Sequence, residues 1–220
     1  MFSSKKPFVK VCCIASIAEA EIAISFGASA VGLVGKMPSG PGPIEDDLIH
    51  QIASVVPPPI ATFLLTSETM ADAIIGHHQK TFTNTLQLVD ELSEGKYDEL
   101  KSKMPSIKIV QVIHVLDESS IDAALEVAGH VHALLLDSGN PKLPLKQLGG
   151  TGRVHNWKLG RKIVEQSKVP VFLAGGLNST NVRQAIEEVQ PFGIDVCSGV
   201  RTNGALDANK LELFFKEVDR

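Results

Sequence analysis

Two stretches near the C-terminal end, FLAGGLNSTNV (residues 172–182) and DVCSGV (residues 195–200), read as successive strand–glycine turn–helix units. Each carries a strand that ends in small residues, whose main-chain N–H groups can approach an anion closely. Two such turns side by side, on the last two strands of a parallel barrel, make the usual phosphate site of that fold. Gly175, Gly176 and Gly199, with Val200 beside them, are therefore expected to hold the phosphate of a small molecule. Glycines that only relieve tight turns are the plainer alternative, but the same turn recurs in two expected places.

Working outward, apolar runs alternate with amphipathic stretches along the whole chain. Strands are expected at FVKVCCI (8–14), ASAVGLVG (28–35), PIATFLL (59–65), TLQLV (85–89), IKIVQVIHV (107–115), VHALLLD (131–137), VPVFLAG (169–175) and FGIDVCSG (192–199). Helices are expected over 17–26, 46–55, 68–77, 94–103, 121–127, 157–166, 181–189 and 209–218. Strands that are short, apolar on both faces and each followed by a helix specify a closed parallel sheet, a (β/α)8 TIM barrel, in one domain over residues 1–220. The fourth strand has the least support, because TFTNTLQLV begins polar. Two long loops, KMPSGPGP (36–43) and SGNPKLPLKQLGGTGRVH (138–155), follow strands and so belong to the catalytic rim.

Composition narrows the function classes. The chain of 220 residues is 44% hydrophobic with a net charge of −4 and no basic cluster, which argues against nucleic acid or an anionic membrane as partner. No apolar run reaches the roughly 18 residues that span a bilayer. The start, MFSSKKPF, lacks the apolar core of an export signal. Three cysteines, two of them adjacent, make no disulfide framework, and a reducing cytoplasm is the simplest location.

Chemistry in such a barrel sits where the strands end. Strand alternation puts Lys10 and Cys12 on one face, with Val11 and Cys13 on the other, so that Cys12 is expected to point into the mouth and Cys13 toward the helices. Lys10 beside Cys12 favours a thiolate. The commoner fate of cysteine is a small buried hydrophobe. Asp137 closes an all-apolar strand, a costly place for a carboxylate unless it acts or caps the next turn with Ser138. A thiol and a carboxyl facing each other beside a phosphate site suit acid–base chemistry on a sugar phosphate. Gln87, His114 and Asp195 also lie near strand ends, with His114 more often structural. His77 and His78 lack the carboxylate or cysteine company of a metal site, and Cys197 is expected in the core. No P-loop, dinucleotide fingerprint or metal-ligand cluster is present in the sequence.

These pieces together resemble the phosphoribosylanthranilate isomerase family. Lys10-Val11-Cys12 resembles the family's first strand, with Cys13 where glycine is usual. Leu135 to Ser138 resembles its L-L-D-S. Gly149 to Gly152 with Trp157 resembles its G-G-T-G-x-x-F-D-W, with His155 and Asn156 replacing Phe and Asp. Leu173 to Val182 matches its L-A-G-G-L-N-x-x-N-V, and Asp195 to Val200 matches its last strand, with Arg201 in place of Glu. The resemblance implies a cofactor-free Amadori rearrangement of a phosphoribosyl amine in tryptophan biosynthesis, with Cys12 as base and Asp137 as acid. It implies no metal, a phosphorylated small-molecule substrate, and a cytoplasmic monomer or small homo-oligomer. The chain departs from the family in the half that meets anthranilate. Pro41 stands where the family has its carboxylate-binding arginine, and Val89-Asp90 replace His-Gly after Gln87-Leu88. No arginine precedes Arg153, so Lys36 or Arg153 is left to meet a carboxylate, with Lys10, Gln87, Gly150 and Asp195 as further substrate contacts. Two alternatives stay open, an isomerase of another phosphoribosyl amine and a non-catalytic phosphate-ligand binding protein.

Overall fold

A computed structural model describes residues 6–139 and 156–220. Gly150 and Arg153 lie outside the described residues. Eight parallel strands close into a barrel: β1 (Phe8–Val11), β2 (Ala30–Val34), β3 (Ala61–Thr66), β4 (Thr85–Leu88), β5 (Lys108–His114), β6 (Ala133–Asp137), β7 (Val171–Leu173) and β8 (Gly193–Val196). Closure comes from β1 pairing with β8, with Lys10 opposite Asp195 and Val11 opposite Val196. The helices are α1 (Ile17–Ser25), α2 (Asp46–Val55), α3 (Ala71–Thr81), α4 (Tyr97–Lys103), α5 (Ser119–Ala128), α6 (Trp157–Gln166), α7 (Val182–Val189) and α8 (Ala208–Val218). A short hairpin, β9 (Arg201–Thr202) with β10 (Ala205–Leu206), follows β8 and has no counterpart in the sequence reading. Among the described residues no helix is long and apolar enough to cross a membrane.

Period-two alternation builds two cores from one set of strands. Val9, Val11, Val31, Leu33, Leu64 and Leu134 face the helices, while Cys12, Ala30, Val34, Phe63, Leu65, Leu135 and Phe172 fill the barrel. The expected helix over 68–77 is displaced to Ala71–Thr81. Thr69 and Met70 are held extended instead: Ser93 N–H donates to Thr69 O at 2.8 Å, and Met70 forms a bridge with Glu94. The same bridge delays α4 to Tyr97, after Gly95 at φ 88. Helix ends elsewhere follow their caps. Ser16 accepts from Glu19 N–H, Asn156 from Lys158 N–H, and Asp207 from Asn209 and Lys210 N–H. His77 does have carboxylate company, contrary to the sequence reading. Its ring bonds Thr66 at 2.8 Å and Asp46 at 3.0 Å, a structural link between α2 and α3. Among the described residues no cluster of three or more His, Cys, Asp or Glu forms a metal site.

Candidate active site

At the C-terminal ends of the strands lies a cleft enclosing about 710 Å³, part of it open to solvent. Asp137, Gln87 and Asp195 line it from three strands, Cys12 from just past the end of β1, and Gly175, Gly176, Leu177 and Ser198 from the two glycine turns. The loop after β2 contributes Met37, Ser39, Gly40 and Pro41. Most of the described residues singled out in sequence thus converge, but Lys10, Lys36, His114, Gly199 and Val200 do not line the cleft. Lys36 is exposed and borders a separate depression with Ser67 and Asp90. Gly199 is half-buried, and Val200 is buried with its N–H donating to Cys197 O at 3.3 Å.

The two turns are shaped by their glycines. Gly175 and Gly176 take φ 90 and 64, a left-handed pair that a side chain would strain. Among the described residues, the main-chain N–H groups of Gly175, Gly176 and Leu177 donate to no main-chain carbonyl. The Gly176 carbonyl accepts from the Asn181 and Asn178 side chains at 3.0 and 3.3 Å. Gly199 has another reason: a Cβ there would run into the Leu177 carbonyl, so the second turn can press against the first only without one.

Lys10 is fully buried, with its Nζ 2.9 Å from Asp195 Oδ2 and 5.2 Å from the Phe63 ring centre. Burial alone would lower the ammonium; Asp195, with Cys12, outweighs it and holds Lys10 above its ordinary value. The other Asp195 oxygen, Oδ1, and the Gln87 Oε1 are buried without a hydrogen-bond partner. Gly32 makes room for this cluster, since a Cβ there would lie 2.7 Å from Cys12 Sγ and 3.1 Å from Lys10 Cε.

Two expectations about strand one are corrected. Lys10 pulls the Cys12 thiol toward the thiolate as expected, but burial outweighs it and pushes the thiol up to about 11, so the free protein holds Cys12 as a thiol. Cys13 does not turn toward the helices. Its φ of 61 ends the strand alternation after Cys12, and its side chain lines the cleft. There it is disulfide-bonded to half-buried Cys197, just past β8, with the two Cα atoms 6.0 Å apart. The expectation of no disulfide, and of Cys197 as simple core, is corrected with it.

Asp137 carries both readings at once. Its Oδ1 accepts from Ser138 N–H at 2.7 Å, and its carboxyl lines the cleft at 7% exposure. Burial raises its pKa above the usual carboxylate value against the pull of the Ser138 N–H and His114. His114 stands opposite Asp137 in register but bonds Val89 O at 3.1 Å and borders a different hollow. Sequence reasoning missed Arg201, whose guanidinium donates to Cys13 O, to Gly204 O at 2.7 Å, and to Glu19 at 2.8 Å. The arginine in place of glutamate was the available signal.

Known proteins match this chain over most of its length. Residues 9–217 fit the family model of N-(5'-phosphoribosyl)anthranilate isomerase. An N-(5'-phosphoribosyl)anthranilate isomerase of Methanosarcina acetivorans is 33% identical, covering 97% of this chain and 93% of its own. A second, from Methanosarcina mazei, is 35% identical, covering 92% and 90%. The crystal structure of the Thermotoga maritima phosphoribosyl anthranilate isomerase superposes with a TM-score of 0.80 at 26% identity, covering 97% of this chain and 98% of that one. The chain belongs to the N-(5'-phosphoribosyl)anthranilate isomerase family.

Proposed function

We propose that the protein isomerises N-(5'-phosphoribosyl)anthranilate by acid–base catalysis, in the cytoplasm and without a cofactor. The observation that carries this reading is the meeting, in one cleft, of a buried thiol, a buried carboxyl and the paired glycine turns. The main-chain N–H groups of the turns hold the phosphate, which positions the sugar and takes no part in the chemistry. Asp137 protonates the ribose ring oxygen and opens the furanose to a Schiff base. Cys12 removes the C2′ proton, and the resulting enolamine becomes the ketone. The burial that raises Asp137 suits it as the acid. The same burial keeps Cys12 a thiol, so the working form arises when the Cys12 proton passes to the Asp137 carboxylate with no net uptake. The unpaired oxygens of Gln87 and Asp195 are available to accept from substrate hydroxyl or amine groups.

The test is loss of phosphoribosylanthranilate fluorescence with purified protein, repeated as rescue of a strain lacking the tryptophan-pathway isomerase. No turnover in either format would overturn the reading. A second reading, the same rearrangement on another phosphoribosyl amine, is favoured by one observation. None of the described residues that line the cleft with Pro41 is a cation, and Asp137 and Asp195 among them are acidic. Replacing Pro41 with Arg separates the two: KM for phosphoribosylanthranilate falls if anthranilate is the aglycone and is unchanged if it is not.

A further inference from the structure

We infer that Cys13 and Cys197 form a thiol–disulfide exchange site at the cleft mouth, and that its redox state sets how tightly the neighbouring glycine turn holds phosphate. The inference rests on the phosphate site proposed above. Cys197 is the last residue before the Ser198–Val200 turn, and Arg201 is the first after it. Both are tied to the same residue: Cys197 through the disulfide to Cys13, and Arg201 through its guanidinium on the Cys13 carbonyl. The turn is therefore bracketed by two tethers to the end of β1. Reduction releases one and leaves the other, along with the Glu19–Arg201 ion pair at 2.8 Å. The reduced protein keeps its fold and gives the turn more freedom, so that ordering it on an anion costs more.

The site is reachable. Both cysteines line the cleft, and Cys197, the half-buried one, is where a reagent first meets the pair, with Cys13 buried behind it. In the oxidising direction the Cys197 thiolate attacks a small-molecule disulfide, such as oxidised glutathione, and releases one thiolate. The Cys13 thiolate then attacks the mixed disulfide at the Cys197 sulfur and releases the second. The two protons go to the departing thiolates, and two electrons pass from the cysteine pair to the reagent. A dithiol reverses both steps. Cys12 also lines the cleft but is a free cysteine outside the bonded pair.

The test measures inorganic phosphate binding by calorimetry on protein equilibrated with oxidised glutathione or with dithiothreitol, with peptide mapping of the thiols in each state. Oxidised protein should show Cys13 linked to Cys197 with Cys12 free, and should bind phosphate several-fold more tightly than reduced protein. Cys197→Ser should match reduced wild type under both conditions. Three free thiols after oxidation, or equal affinity in the two states, would overturn the inference and leave the proposed isomerase intact. Absence of phosphate binding in both states would overturn the phosphate site and this inference together.

Discussion

Single residues decide the chemistry, and their setting reverses one expectation drawn from sequence. Lys10 and Cys12 were legible as a same-face pair from strand parity, but the partner of Lys10 was not, because Asp195 lies 185 positions away on the strand that closes the barrel. Burial outweighs the pull of Lys10 and leaves the Cys12 thiol at about 11. A base titrating above its acid partner gives kcat/KM that is flat through neutral pH. It falls on the acid side below the raised Asp137 value and on the alkaline side only near about 11. A descent already centred near the ordinary thiol value of about 8.5 would contradict this setting of Cys12. Replacing Cys12 with Ser, or Asp137 with Asn, is expected to abolish turnover and leave inorganic phosphate binding nearly unchanged. Most of the activity surviving in either variant would remove that residue from the proposed role.

Elements position these residues, and the turns between elements carry most of what the sequence left hidden. Helices α2 and α6 coincide with their hydrophobic periods, while α3 and α4 shift because backbone pairing at Met70 and Glu94 overrides periodicity. The glycine turns were legible, yet the division of labour among them was not. Gly175 and Gly176 are needed for their dihedral angles, and Gly199 for contact with the Leu177 carbonyl. Gly199→Ala therefore pushes the two turns apart, and phosphate affinity is expected to fall by roughly tenfold or more with the barrel still folded. An unchanged affinity would show that the turns need not touch. The Arg201–Glu19 pair joins the turn after β8 to the start of α1, where Glu19 also accepts from Ala15 and Leu206 N–H. Glu19→Gln leaves a nearly buried guanidinium without its counter-charge and should destabilise by about 3 kcal/mol in chemical denaturation. The hydrogen bonds and charge of Arg201 outweigh burial and hold the Glu19 carboxyl below its ordinary value. Its contribution is present above the unfolded carboxylate pKa and is lost as pH falls through the lowered folded one. The gap between wild type and Glu19→Gln should shrink accordingly in acid.

At the scale of the molecule, eight alternating apolar runs were enough to specify a closed parallel barrel, because strands apolar on both faces need cover inside and out. The seam of that barrel was less legible. Pairing of β1 with β8 brings the barrel's first and last strands together. The Cys13–Cys197 bridge crosses the same seam over a separation of 184 residues. Adjacent cysteines on a strand should face opposite ways, and only the left-handed backbone at Cys13 brings it into the cleft. A link over so long a loop acts chiefly on the unfolded chain. In the chain-entropy account it is worth up to about 5 kcal/mol, less whatever residual structure the unfolded chain keeps. The folded barrel retains its strand register and the Arg201 tether when the bridge opens, so reduction should leave the native circular dichroism unchanged. The urea midpoint should fall, and the slope of the transition should steepen as the unlinked chain exposes more surface. Cys197→Ser should unfold with the midpoint of reduced wild type whether or not a reductant is present. Identical midpoints for oxidised and reduced wild type would mean that the seam is held by strand pairing and packing alone.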